Sequence, residues 1–137
     1  MTLTPPPLIV GVVGAGGIAH PHLAAWRHLG VAVLVHSDEG AMEAAIQYGA
    51  REVSDLTELL KACDVVDVCT PTYTHHKIVL AAAAAGRHVI CEKPLSHLRH
   101  EAVEMIEACA AAGVQLHPGH VVRYFPEYTA AKAALGS

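Results

Sequence analysis

Charge is scarce in this chain, and aromatic side chains are scarcer. Asp, Glu, Lys and Arg make up 16% of the 137 residues, and Phe, Trp and Tyr only 4%. The formal net charge is −4 with no basic stripe, so a nucleic-acid partner is not expected. Long hydrophobic runs are missing too. The longest, residues 78–86, is too short to cross a bilayer, and no membrane partner is expected. The start, Thr2-Leu3-Thr4-Pro5-Pro6-Pro7, lacks the basic residues and apolar core of a secretory signal. Residues 1–7 read as a disordered or extended lead-in. The four cysteines, Cys63, Cys69, Cys91 and Cys109, fit no Cys-x-x-Cys spacing. They read as reduced, structural thiols of a cytoplasmic protein. Eleven histidines are scattered without a ligand spacing such as His-x-x-Glu-His, so no metal site is expected.

What is present is an alternation. Short apolar runs at 8–13, 31–35, 65–69, 88–91 and 114–116, with a weaker one at 51–53, suit strands buried on both faces. Ala-, Leu- or Glu-rich segments lie between them, at 18–29, 40–48, 55–62, 75–85 and 96–112, with one more at 127–135. Gly30, Gly49, Gly86 and Gly113 follow four of these as helix ends, and Asp55 and Ser96 are placed to cap two beginnings. The order βαβαβ predicts a doubly wound, mostly parallel six-stranded α/β sheet with helices on both faces. Residues 8–137 form this one domain.

Two motifs carry chemistry. Gly14-x-Gly16-x-x-Ala19 follows a strand and opens a helix, the setting a dinucleotide fingerprint requires. Gly14 permits the tight turn, Gly16 admits the pyrophosphate, and Ala19 keeps the helix near the strand. Gly17 and Ile18 complete the cradle at a helix start that favours phosphate. At the end of the second strand, Val35 and His36 stand where an aspartate would mark NAD. Asp38 or Glu39 could still reach the ribose, while Ser37 and His36 could accept a 2′-phosphate. The choice between NAD and NADP stays open, with a slight lean to NADP. Glu92-Lys93-Pro94 is the second motif: a charged pair at a strand's carboxyl end, on a turn that the proline stiffens.

In order, these motifs resemble the N-terminal domain of the glucose-fructose oxidoreductase/inositol dehydrogenase family (Gfo/Idh/MocA), from about residue 8 to 135. The opening strand and glycine turn are similar, with His22 where a histidine is common. So are Thr70-Pro71-Thr72-Tyr73-Thr74-His75, the stretch from Ala85 to Leu95 around Glu92-Lys93-Pro94, and Gly119-His120-Val121-Val122-Arg123-Tyr124-Phe125-Pro126.

The resemblance implies a Rossmann-type domain of an oxidoreductase. Such an enzyme moves hydride between NAD(P) and a secondary alcohol or carbonyl of a sugar, polyol or related small molecule. It places Lys93 beside the nicotinamide as the catalytic residue, where an amine can stabilise charge on oxygen or relay a proton. It places Glu92 near the nicotinamide ribose, Thr70 and Pro71 under the dinucleotide, and His75 beside it. Arg123 and His120 become candidates for substrate contact. His20 and His22 are expected to pack against or cap the first helix, and Trp26 to pack on it. His117 and His120, alternating on a strand, would send at most one ring towards the cleft. The family continues into a second α/β domain that this chain lacks, so the chain reads as the cofactor half of a homo-oligomeric enzyme, inactive alone. A stand-alone NAD(P)-binding module without turnover is the alternative, as is a family member that uses NAD without net redox.

Overall fold

The computed structural model describes residues 7–136, so all but the last residue of the expected lead-in at 1–7 lies outside the described residues. Six strands and six helices follow one another almost without exception. They run β1 (Ile9–Val13), α1 (Ala19–Leu29), β2 (Ala32–His36), α2 (Ala41–Tyr48), β3 (Arg51–Glu52) and α3 (Leu56–Ala62). Then come β4 (Val65–Val68), α4 (Thr72–Ala84), β5 (His88–Cys91), α5 (Arg99–Ala111) and β6 (Leu116–Pro118). A 3₁₀ turn (Val121–Tyr124) and α6 (Pro126–Ala134) close the described chain.

All strand pairs are parallel, in the order β3-β2-β1-β4-β5-β6. The chain moves outward from β1 to β3, then returns to β4 on the other side of β1. That reversal makes the β1/β4 boundary the switch point, where an open α/β sheet leaves a crevice beyond its strand ends. Register aligns Val13 with His36 and with Val68, and Val68 with Cys91, so four strands finish level at that edge.

Two apolar layers hold the sheet. Val10, Val12 and Val35 pack with Ala19, Leu23, Ala44 and Ala45 on the α1/α2 face. On the other face, Val66, Val68 and Val89 pack with Leu59, Ile78, Val79 and Met105 of α3, α4 and α5. Truncating a fully buried residue such as Leu59 to Ala should cost about 2–5 kcal/mol. Alternation along β4 sends Asp67, between Val66 and Val68, to the α1 face. Among the described elements α1 and α2 pack on that face, and β5, β6 and the 3₁₀ turn border an open groove beside α1 there.

Capping agrees with expectation at the start of α3 and departs from it at the start of α5. Asp55 accepts from the Glu58 N–H at 2.8 Å, and that bond foremost holds its carboxyl below the usual range. Ser96 caps nothing. The residue before α5 is Leu98, whose N–H donates to Ser96 Oγ at 3.0 Å, and the hydroxyl bonds Glu101.

Candidate functional site

A cleft of about 660 Å³ opens at the switch point, lined by residues 13–18, 36–38 and 69–71 together with Leu56, Tyr73, Thr74, Lys77 and Ile78. Its shape begins at Gly14. There φ is +101°, and a Cβ would stand 2.9 Å from the Cys69 carbonyl carbon and oxygen, so only glycine turns this tightly past β4. The Gly14 N–H donates to His36 O at 2.8 Å, tying the turn to the end of β2. Gly16 and Gly17 are the opposite case: a Cβ at either would meet nothing within 4 Å. That open space lies over the start of α1, which has no side-chain cap and no acidic residue in its first turn. Unsatisfied N–H groups facing open room suit a pyrophosphate. The site fits a dinucleotide.

Gly14, Gly16, Gly17, Ile18, Ser37, Asp38, Thr70 and Pro71 all line this one cleft. Lys77, which sequence reasoning missed, brings a cation to the same wall. The signal was helical spacing, since Lys77 lies three and four residues beyond Thr74 and Tyr73 on α4.

His75 lies behind the cleft rather than in it. The ring is buried, with Nδ1 3.0 Å from Pro94 O and Nε2 2.9 Å from Thr70 O. It ties the loop after β4 to the turn after β5.

Glu92 also lies inside. It lines none of the described cavities, and its carboxylate meets His22 Nε2 at 3.1 Å and the Lys93 N–H at 3.1 Å. His22 Nδ1 lies 2.9 Å from Asp67 Oδ2, and Trp26 Nε1 donates to the same oxygen at 2.7 Å. The His22 pKa is raised, chiefly by the Asp67 hydrogen bond, against burial, with the Asp67 charge and Glu92 adding to the rise. His22 thus neither caps α1 nor merely packs on it. His20 differs from expectation too, meeting the Tyr48 hydroxyl at 3.0 Å. A buried Asp inside an apolar strand run was the signal for this network, because such a group demands partners. His22, Asp67 and Cys69 offer ligand atoms within 4.8 Å of one another. Burial pushes the Cys69 thiol far up and the Cys91 thiol up to about 12, so neither offers a thiolate. The cluster is satisfied as hydrogen bonds.

Lys93 does not share the glycine cleft. It is exposed beside a smaller cavity of about 380 Å³ with Pro94, Gly119, His120, Val121 and Val122. His120 stands beyond β6, so strand alternation does not govern it, and both His117 and His120 line the groove against α1. Arg123 sits in the 3₁₀ turn, exposed and lining none of the described cavities.

Comparison with known proteins adds to this geometry. An oxidoreductase family with an NAD-binding Rossmann fold matches residues 8–120. The inositol 2-dehydrogenase of Paracoccus denitrificans is 34% identical over 138 residues, covering 93% of this chain and 41% of that protein. The solved UDP-N-acetylglucosamine 3-dehydrogenase GnnA of Acidithiobacillus ferrooxidans superimposes with a TM-score of 0.85 at 29% identity, over 93% of this chain and 43% of that one. The WlbA dehydrogenase of Bordetella pertussis, solved with NADH and UDP-GlcNAcA, gives 0.82 at 29% identity, over 95% and 42%. Among the curated relatives, this chain spans between 25% and 42% of their length.

Proposed function

The chain belongs to the Gfo/Idh/MocA oxidoreductase family, as its NAD-binding Rossmann domain, and on that premise we propose that it binds NADP in preference to NAD at the switch-point cleft. One observation carries the binding reading: the open space over Gly16 and Gly17 at the uncapped start of α1. The preference rests on His36 and Ser37 at the end of β2, where no carboxylate stands, and on the Lys77 cation in the same cleft. Asp38, exposed at the rim, is the residue that would hold a ribose hydroxyl instead.

The enzyme of which this domain is the cofactor half acts on a secondary alcohol or carbonyl of a sugar, polyol or related small molecule. A bound nicotinamide supplies the hydride donor or acceptor. Lys93 stabilises developing charge on the reacting oxygen or relays its proton, and its exposed amine beside His120 supports that role. His75 lies between the Lys93-Pro94 turn and the Thr70 loop, in reach of a carbonyl on each, and so links the cofactor wall to the lysine turn. Arg123, on the turn that follows, is available for substrate. The substrate pocket is completed by a second domain, and the enzyme is a cytoplasmic homo-oligomer. The reduced, buried cysteines support that compartment.

Calorimetric titration of the chain with NADPH and NADH tests the reading. Tighter NADPH binding, lost in Lys77→Ala, is the expected result. Equal or tighter NADH binding removes the preference, and no binding at millimolar nucleotide removes the cleft.

A further inference from the structure

Glu92 stands one residue before Lys93, and its two carboxylate oxygens serve different partners. Oε2 accepts the Lys93 backbone N–H at 3.1 Å, while Oε1 meets His22 Nε2 at 3.1 Å. The other ring nitrogen of His22 lies 2.9 and 3.1 Å from the two oxygens of Asp67. Carboxylate oxygens thus face both sides of the imidazole, and the ring donates to both only when each nitrogen carries a hydrogen. Gly119 packs close on one side: a Cβ there would stand 2.8 Å from Glu92 Oε1, so a side chain at this position would displace the carboxylate. Trp26 anchors the far end by donating to Asp67.

From these contacts we infer that His22 is a positioning residue, which holds the Glu92 carboxylate on the Lys93 peptide and so fixes the turn that presents the lysine. The inference rests on the reading of Lys93 given above. It makes α1 do two things at once: its start faces the nucleotide cleft, and its second turn braces the lysine turn 70 residues away in sequence. Nothing else on α1 reaches β5 in this way among the described hydrogen bonds.

The groups facing His22 come from three elements. β4 contributes Asp67, with Cys69 just beyond its end, Glu92 follows β5, and His117 and His120 line the groove from the β6 side. Burial keeps the Cys69 thiol protonated, so the two carboxylates dominate the field at the ring. The His22 pKa is raised, first by its Asp67 bond, in the direction that favours the doubly protonated ring.

Nitrogen-15 NMR of the purified chain across a pH titration tests this. Both His22 ring nitrogens should carry protons at neutral pH, and the Lys93 amide shift should move with the His22 midpoint. In His22→Asn, which can still donate to Asp67 but not to Glu92, the Lys93 amide should stop titrating and exchange about tenfold faster. Glu92→Gln should also break the link while leaving His22 on Asp67, and it serves if the first variant fails to fold. A singly protonated His22 at neutral pH, or a Lys93 amide that ignores His22, overturns the inference. So does a variant that melts earlier with the Lys93 response intact, since that is a purely structural role. NADPH binding measured on the same samples reports separately on the cleft, so failure of one reading is distinguishable from failure of the other.

Discussion

Trp26 donates its indole N–H to Asp67 at 2.7 Å, from the first helix into the fourth strand of the sheet. Asp67 is fully buried, so every donor it has matters. Trp26→Phe keeps the packing and removes the donor, which should cost about 1–3 kcal/mol. A fall in the urea midpoint at constant slope checks it, and an unchanged midpoint contradicts it.

The two kinds of glycine in the cleft should respond differently to a methyl group. Gly14→Ala meets the Cys69 carbonyl at a φ of +101°, and about 1–3 kcal/mol of stability should go together with nucleotide binding. Gly17→Ala adds its methyl to open space, so thermal stability should hold while nucleotide affinity falls. Thermal melts with calorimetric titrations of both variants separate the cases. Equal affinity loss without any stability difference would contradict the geometry.

His22 gives stability a pH dependence of definite sign. The free ring titrates near 6.5, and the folded value is raised, first by the Asp67 hydrogen bond. The extra stability is complete below the unfolded value and is lost as pH rises through the folded one. Unfolding free energy should therefore decline from neutral towards alkaline pH, and His22→Asn should flatten that slope. An equal slope in the variant removes His22 as its source.

Legibility in the sequence followed how local the cause was. β5 is legible at its observed bounds because a short apolar run with β-branched residues needs no tertiary context. The start of β6 is not: Val114 N–H still bonds Cys109 O at the end of α5, so the strand begins only at Leu116. α4 starts at Thr72 rather than His75 because Thr74 N–H bonds Pro71 O, which sequence alone does not announce. The glycine cleft was legible since its chemistry is a short spacing on one turn. The His22, Asp67, Trp26 and Glu92 network was not, because it joins residues as far as 70 positions apart across three elements.

The region after β6 presents apolar side chains to water. Tyr124 and Leu135 are 83% and 82% exposed, and Val121, Phe125 and Tyr128 are exposed beside them. Large apolar side chains exposed along one segment favour association. The chain should self-associate at high concentration, and Tyr124→Ser with Leu135→Ser should shift it towards monomer. Sizing with light scattering reads this, and a clean wild-type monomer at high concentration contradicts it.

The most direct test of the central claim is an amide chemical-shift map of the chain on addition of NADPH. The account predicts saturable shifts at Gly14, Gly16, Gly17, Ile18, Ser37, Asp38 and Thr70, with the groove around His117 and Val121 unmoved. Shifts confined to that groove, or none at millimolar nucleotide, would show that the switch-point cleft is not where this chain binds its cofactor.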